Sequence, residues 1–196
     1  METASMLAIA LGVAWASGIK LYAAVLTLGV LGATGNVVLP EQLQVLTNPW
    51  VMGTAGFMYA MEFIADKIPG VDSIWDALHT FIRIPAGAVL AASAVGSVDP
   101  VVATLAFLAG GAISTGSFGT KMSTRLAINT SPEPFSNWGA SVFEDVAVAF
   151  GLYTAFHHPV VFLVLLAAFV ALVIWLLPKI FRVLKRVFTR VASVFQ

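Results

Sequence analysis

A lysine lies deep inside the first apolar segment of this 196-residue chain. A charge near the centre of a bilayer-spanning helix costs at least about 2.5–3.5 kcal/mol, so Lys20 should face a partner or a water-filled cavity. With Tyr22 beside it, Lys20 is a candidate ligand for an anion or carboxylate, or a proton-exchanging amine. The alternative is a structural ion pair with Glu62, Glu144 or Asp145.

Acidic residues recur in or beside later apolar segments. Glu62 and Asp66 are four residues apart and therefore share one helix face, while Glu144 and Asp145 lie within the fifth segment. Carboxylates in such places can bind a cation or relay protons. The alternative is pairing at the cytoplasmic interface with three basic residues: Lys67, Lys121 and Arg125.

The segment 69–83 is an amphipathic helix with a polar stripe. Asp72, Asp76, His79 and Arg83 follow one another at i, i+4, i+7 and i+11. Two carboxylates and an imidazole on one stripe are weak candidate ligands for a divalent metal, but the neighbouring arginine disfavours a cation. We therefore expect no metal, and a helix lying on the cytoplasmic leaflet.

Small residues dominate the stretch 110–121, which contains Ser114 and ends at Lys121. Its glycines at 111, 116 and 119 allow a neighbouring helix to approach the backbone closely. The alternative is a broken helix that directs backbone dipoles at an ion. The spacing does not match a phosphate-binding loop, so no nucleotide site is expected.

Composition excludes several functional classes. Hydrophobic residues make up 59% of the chain and charged residues 10%, whereas soluble domains carry about 25% charged residues. With a mean hydropathy of +0.94, too little polar surface remains to cover a soluble core. The absence of cysteine excludes disulfides and thiolate chemistry. The sequence contains no basic folded face of the kind that binds nucleic acid. It also contains no nucleophile–base–acid set of the kind that an enzyme uses.

The fold class expected from this pattern is an all-α, polytopic bundle of about six membrane-spanning helices. The apolar segments are Ala4–Ala33, Trp50–Ala65, Ile84–Val98, Val101–Gly119, Trp138–Phe156 and Pro159–Leu177. The first is too long for one straight span and is expected to break near Gly18. The short third segment is expected to borrow length from the amphipathic segment before it, or to tilt little.

Basic residues predict how the chain is oriented. The loops 66–83 and 120–137 hold Lys67, Arg83, Lys121 and Arg125, whereas the other loops hold no lysine or arginine. The positive-inside rule then puts both termini in the cytoplasm. Residues 1–178 form one transmembrane domain, with halves 1–98 and 99–178 that are compatible with a 3+3 inverted repeat.

A basic tail, 179–196, follows the last apolar segment. Its hydrophobic residues recur at three- and four-residue steps, which predicts an amphipathic helix on an anionic leaflet. Five cations are candidate ligands for lipid headgroups: Lys179, Arg182, Lys185, Arg186 and Arg190.

Two stretches carry a family likeness. One is Gly-Ile-Lys-Leu-Tyr at 18–22. The other runs from Asn48-Pro49-Trp50 through Glu62, Asp66, Lys67, Pro69-Gly70-Val71-Asp72, Trp75-Asp76 and His79 to Arg83. Together they resemble a family of small bacterial integral membrane proteins known as a domain of unknown function, over about residues 5–178. The resemblance implies a multi-helix membrane fold, and it implies neither an activity nor site residues.

We expect a small transporter or channel for an ion or a small polar solute, homo-oligomeric, without a cofactor, in the bacterial inner membrane. Its site is predicted between Lys20, the stretch 110–121, and Glu62 or the pair Glu144 and Asp145. The alternative is a non-transporting scaffold or lipid-binding membrane protein in which these charges only pair.

Overall fold

The computed structural model describes residues 3–68, 70–96, 99–129 and 134–192, with side chains at all of these except 134, 177, 178 and 180–192. These residues form six α-helices, one 3₁₀ helix at Glu41–Thr47, and no strand. The α-helices are α1 (Thr3–Ala33), α2 (Pro49–Ala65), α3 (Val71–Ala94), α4 (Pro100–Ile128), α5 (Pro134–His157) and α6 (Pro159–Ala192).

Two of the helices begin at an Asx-Pro pair. The side chains of Asn48 and Asp99 accept a hydrogen bond from the second backbone N–H of α2 and α4, at 2.9 and 2.8 Å. Proline then occupies the first helical position, where its missing N–H costs nothing. The turn chemistry read from the sequence therefore sets where these helices start.

Four of the described helices are long and apolar enough to cross a membrane. They are α1, α3, α4 and the Pro159–Leu176 part of α6. Large apolar side chains cover the outside of the bundle, among them Trp50, Phe57, Phe81 and Phe143. An apolar exterior of this extent is typical of a surface that meets lipid or another protein, so the fold is compatible with a membrane protein.

Helix α1 is the centre of the bundle and contacts every other α-helix. Its helical geometry is interrupted at Lys20, whose φ of −146° and ψ of 92° are those of extended backbone. The predicted break near Gly18 is therefore confirmed. A methyl group at Gly18 would overlap the carbonyl oxygen of Ser114 and the hydroxyl of Ser117, so α1 and α4 touch through their backbones here.

Helix α3 corrects the expectation of a separate interfacial helix. The amphipathic segment and the third apolar segment form one continuous helix, so the borrowing of length is confirmed. However, Asp72, Asp76 and Arg83 are fully buried, whereas Leu78 and Phe81 on the apolar face are exposed. The helix directs its polar stripe into the bundle because partners for these charges lie there. The apolar face therefore points outward.

Helix α4 runs without interruption through the small-residue stretch, so the alternative of a broken helix there is wrong. The expectation of close packing is confirmed, although at other positions. A methyl group at Gly110 would overlap the side chain of Ala91, whereas one at Gly119 would meet nothing within 4 Å.

The two loops used to orient the chain are also corrected. Most of 66–83 belongs to α3, and most of 120–137 belongs to α4 and α5. Arg83, Lys121 and Arg125 are buried in the bundle instead of lying in cytoplasmic loops. These three residues therefore carry no independent information about orientation.

The last helix continues past the predicted end of the apolar segment, through Ala192. The ammonium of Lys179 lies 3.0 Å from the centre of the Trp175 ring, a cation–π contact. The remaining predicted lipid ligands, Arg182, Lys185, Arg186 and Arg190, lie outside the described side chains.

Candidate functional site

Nine charged side chains meet inside the bundle, and we call this group the charge cluster. Four are cations and five are carboxylates, so the fully ionised cluster carries a net charge of −1. Its members are Lys20 from α1, Glu62 and Asp66 at the end of α2, Asp76 and Arg83 from α3, Lys121 and Arg125 from α4, and Glu144 and Asp145 from α5. All except Asp145 are buried.

The interruption of α1 places Lys20 in the cluster. Its Nζ lies 2.8 Å from Asp145 Oδ1 and 3.0 Å from Asp66 Oδ2, and it donates to Ser141 Oγ at 3.1 Å. Glu144 is more distant, at 3.9 Å. The predicted ion pairs with Asp145 and Glu144 are therefore present. Asp66 takes the place that the sequence assigned to Glu62.

Arg83 bridges two carboxylates with its two terminal nitrogens. Nη1 donates to Asp76 Oδ1 and Nη2 to Glu62 Oε1, each at 2.5 Å. The backbone carbonyl of Arg83 accepts from the hydroxyls of Ser17 and Ser114, at 3.0 and 3.2 Å. Hydroxyl groups from α1 and α4 therefore hold the backbone from which this guanidinium extends.

Lys121 contacts more carboxylates than any other cation of the cluster. Its Nζ lies 3.1 Å from Asp76 Oδ1 and 3.3 Å from Glu62 Oε1. Glu144 Oε2 and Asp66 Oδ1 follow at 3.6 and 3.7 Å. The ammonium therefore lies among four carboxylates from α2, α3 and α5.

Arg125 binds Glu144 in the bidentate geometry that favours arginine over lysine. Nε and Nη2 donate to the two Glu144 oxygens at 3.1 and 2.8 Å, and Nη2 also contacts Asp66 Oδ2 at 3.4 Å. Nη1 donates to the backbone carbonyl of Asn137 at 3.1 Å. This arginine ties the ends of α2 and α4 to α5.

The electrostatics of Asp66 follow from this arrangement. Burial by itself would raise the pKa of the carboxyl group. The attraction of Lys121, followed by Lys20 and Arg125, outweighs the burial, so the pKa of Asp66 lies below its ordinary value. The neighbouring cations therefore favour the charged form of Asp66.

Three carboxylates of the cluster come close enough to share a metal ion. Glu62, Asp66 and Asp76 each offer one oxygen, and these oxygens lie within 4.8 Å of one another. Of the three weak metal candidates predicted from the sequence, Asp76 belongs to this group and Asp72 and His79 do not. Asp76 joins the cluster, Asp72 accepts from Asn129 Nδ2 at 2.9 Å, and the His79 ring stacks on Trp75 at 4.2 Å.

The structure brings together most of the predicted site residues. Six are members of the charge cluster: Lys20, Glu62, Asp66, Lys121, Glu144 and Asp145. Ser114 holds the Arg83 backbone, and the Tyr22 ring lies against His79, with centroids 5.8 Å apart. From the sequence, Arg83 and Arg125 are predicted to lie at the membrane interface. Arg83 lies seven residues after Asp76, and Arg125 lies four residues after Lys121. This spacing places each arginine on the same helix face as the cluster residue before it.

A cavity reaches the edge of the cluster between α1, α4, α5 and α6. Its volume is about 270 Å³, and its lining includes Lys121, Glu144 and Thr124. A second cavity, of about 410 Å³, lies between α4 and α6 and shares Thr120 and Thr124 with the first. Lys121 and Glu144 therefore border open space at the edge of the cluster.

A family model described as Domain of unknown function (DUF4126) matches residues 7–179. The chain belongs to the DUF4126 family. The match covers every member of the charge cluster, and it ends where the basic tail begins. This confirms the resemblance over about residues 5–178. Comparison with curated proteins and with solved structures found no match.

Proposed function

We propose that this DUF4126 protein is a six-span integral membrane protein that moves an ion or a small polar solute, with the charge cluster as its binding site. The observation that carries the proposal is a group of nine charged side chains inside an apolar bundle, at the point where α1 is interrupted. Charges kept inside membrane bundles usually mark ion or substrate pathways, and interrupted helices commonly form transporter sites.

Access to the cluster supports the same proposal. Lys121 and Glu144 are cluster members that also line the 270 Å³ cavity. Thr120 and Thr124 line both this cavity and the larger one beside α6. A solute that reaches the 270 Å³ cavity would meet the ammonium of Lys121 there.

The proposal includes an arrangement in the membrane. We infer a 3+3 inverted repeat, because Gly18-Ile19-Lys20 in α1 resembles Gly119-Thr120-Lys121 in α4, and α2 and α5 each carry a glutamate, Glu62 and Glu144. These lysines and glutamates meet in the charge cluster. We further propose a homo-oligomer in a bacterial inner membrane, with both termini cytoplasmic and the basic tail on anionic lipid. In this proposal the protein has no enzymatic activity, cofactor or nucleic-acid partner.

One observation favours a second candidate, a non-transporting scaffold or lipid-binding membrane protein. Every cation of the charge cluster contacts at least one carboxylate, and Lys20 has no exposed surface. A cluster with a purely structural role would hold the helices together by these contacts alone.

Ion flux through reconstituted protein separates the two candidates. The full chain is placed in liposomes, and currents on a solid-supported membrane are recorded after concentration jumps of protons, sodium, potassium, chloride or phosphate. We expect a current that protein-free liposomes lack and that Lys121→Met abolishes. Lys67→Met is the matched control, because Lys67 lies over the Phe63 ring at 2.8 Å and donates to its carbonyl.

Absence of current for all five solutes, from protein that remains folded, would favour the scaffold. Lys20→Met adds a second criterion. If this variant is as stable as the natural chain, or more stable, and changes no response to a solute, the cluster is not a solute site.

A further inference from the structure

We infer that the charge cluster binds one monovalent cation, a proton or an alkali-metal ion, at Glu62, Asp66 and Asp76. This inference rests on the proposed function and names its substrate class. The ligands would be carboxylate oxygens, which suit hard cations, and no histidine or cysteine belongs to the cluster.

The net charge of the cluster favours a bound cation. Five carboxylates face four cations, which leaves one negative charge in excess among side chains that are almost all buried. An uncompensated buried charge is very costly, so buried sites are neutralised by a partner, an ion or a proton. Two nearby charges do not alter the balance, because Asp72 and Lys67 are of opposite sign and lie outside the cluster contacts.

Three buried carboxylate oxygens of the cluster lack a hydrogen-bond partner. Glu62 and Asp76 each hold Arg83 and Lys121 through one oxygen, while Glu62 Oε2 and Asp76 Oδ2 are buried without a hydrogen-bond partner. Asp66 Oδ1 is likewise buried without a hydrogen bond, with Lys121 Nζ 3.7 Å away. Arg83 Nε is a buried donor without a partner as well. Because buried acceptors are normally satisfied, each of these three oxygens can accept a further positive ligand.

The distances between oxygens of the three carboxylates suit a shared cation. Oxygens that share one cation at about 2.3–2.6 Å can be no more than about 5 Å apart. One oxygen from each of Glu62, Asp66 and Asp76 meets this limit, since the three lie within 4.8 Å of one another. Three ligands from the end of α2 and from α3 therefore lie close enough together to share one ion.

The neighbouring cations determine the charge of the ligand. Arg83 and Lys121 both contact Glu62 and Asp76, so they would repel a divalent ion more strongly than a monovalent one. A single positive charge is also what the balance requires. The other ionisable groups around the three carboxylates are Lys20 and Tyr22 from α1, Tyr59 and Lys67 from the α2 region, Arg125 from α4, and Glu144 and Asp145 from α5.

Lys121 lies on the route to the site. It borders the 270 Å³ cavity and contacts all three proposed ligands. Its contact with Glu144 at 3.6 Å offers the ammonium another carboxylate while a cation occupies the site. A cation that binds these three carboxylates from the cavity would displace the Lys121 ammonium from them.

The test is a binding measurement on the full chain in detergent. The thermal midpoint is followed as sodium, potassium or lithium chloride replaces choline chloride at constant ionic strength, and this series is repeated from pH 5 to 9. Stabilisation by an alkali-metal chloride at fixed pH identifies a metal ion. Uptake of about one proton per chain, with no response to these salts, identifies the proton.

Variants locate the site. Glu62→Gln and Asp76→Asn should each weaken the cation response at least about tenfold, as expected for the loss of a ligand. Both variants make the cluster neutral, so they should fold in choline chloride alone. Asp145→Asn removes the same charge from a half-buried carboxylate that is not one of the ligands, and it should weaken the response clearly less.

Two results would overturn the inference. One is a natural chain whose stability responds neither to the three salts nor to pH across this range. The other is an Asp145→Asn variant that loses the response as completely as Glu62→Gln. Ion flux without cation binding would contradict the cation site and leave the proposed transport function standing. Cation binding without ion flux would contradict the transport function and leave the cation site standing.

Discussion

Arg83→Met is the most severe single test of the charge cluster. The side chain is fully buried and donates to both Glu62 and Asp76, so its removal leaves two carboxylates that each lose a donor. It also changes the net charge of the ionised cluster from −1 to −2. Removing one partner of a buried ion pair costs about 3–5 kcal/mol, because the other charge stays buried without compensation.

We therefore expect the free energy of unfolding to fall by about 3–5 kcal/mol in Arg83→Met. The measurement is unfolding by SDS in mixed micelles, followed by tryptophan fluorescence. Arg83→Met combined with Glu62→Gln returns the net charge of the ionised cluster to −1. The double variant should regain about 0.5–3 kcal/mol relative to Arg83→Met, the usual coupling between side chains in contact.

Lys67→Met provides the scale for this measurement. Lys67 is half-buried and contacts an aromatic ring and a backbone carbonyl instead of a carboxylate. Its loss should cost about 0.5–1 kcal/mol. If Arg83→Met is no more harmful than Lys67→Met, or if Glu62→Gln worsens it, the buried pairs do not hold the helices together and the reasoning fails.

Three further outcomes are expected from the same unfolding assay. Gly18→Ala should lower the free energy of unfolding by about 1–3 kcal/mol, because the added methyl group would overlap the backbone of α4. Gly119→Ala, with open space around it, should leave the free energy of unfolding unchanged or raise it. Equal effects of the two substitutions would contradict the close packing at Gly18. Because the folded-state pKa of Asp66 is lowered, the contribution of Asp66 to the free energy of unfolding is complete above about pH 4 and is lost as pH falls through the lower folded-state value. Asp66→Asn should reduce this loss of stability at acidic pH. An unchanged loss in the variant would refute the assignment. Ser17→Ala removes one of two hydroxyl donors to the Arg83 carbonyl and should cost about 1 kcal/mol, while Ser17→Thr should retain most of the stability; a loss above about 3 kcal/mol would point to a role beyond this hydrogen bond.

Much of the fold was readable from local signals. Apolar runs located the six helices, and Asn48-Pro49 and Asp99-Pro100 marked where two of them begin. The break in α1 was predicted because one apolar segment was longer than a single span requires. Each of these signals depends on neighbouring residues alone, which is why the sequence was sufficient.

The orientation of the polar stripe on α3 was not predictable in the same way. Periodicity shows that Asp72, Asp76 and Arg83 share a face, but it does not show which medium that face meets. In an apolar exterior the rule for soluble helices is reversed, and the charged face turns inward when partners exist. Those partners come from α2 and α4, far away in the chain, so local pattern could not reveal them.

The same limit explains why Arg83 and Arg125 were assigned to interfaces. The positive-inside rule assumes that basic residues sit at the ends of spans, and it has no term for a basic residue neutralised by distant carboxylates. Arg125 meets Asp66 and Glu144 across 59 and 19 residues of sequence. Contacts of this kind depend on the assembled bundle.

The division of the charge cluster among five helices has a consequence for how the chain enters a membrane. Each of α1 to α5 brings at least one charge whose partners belong to other helices. A helix released alone into lipid would carry that charge without compensation, at about 2.5–3.5 kcal/mol or more. Helices α1 to α5 should therefore leave the insertion machinery together, because a chain truncated before α5 would leave Lys20 and Arg125 to share Asp66 as a partner carboxylate.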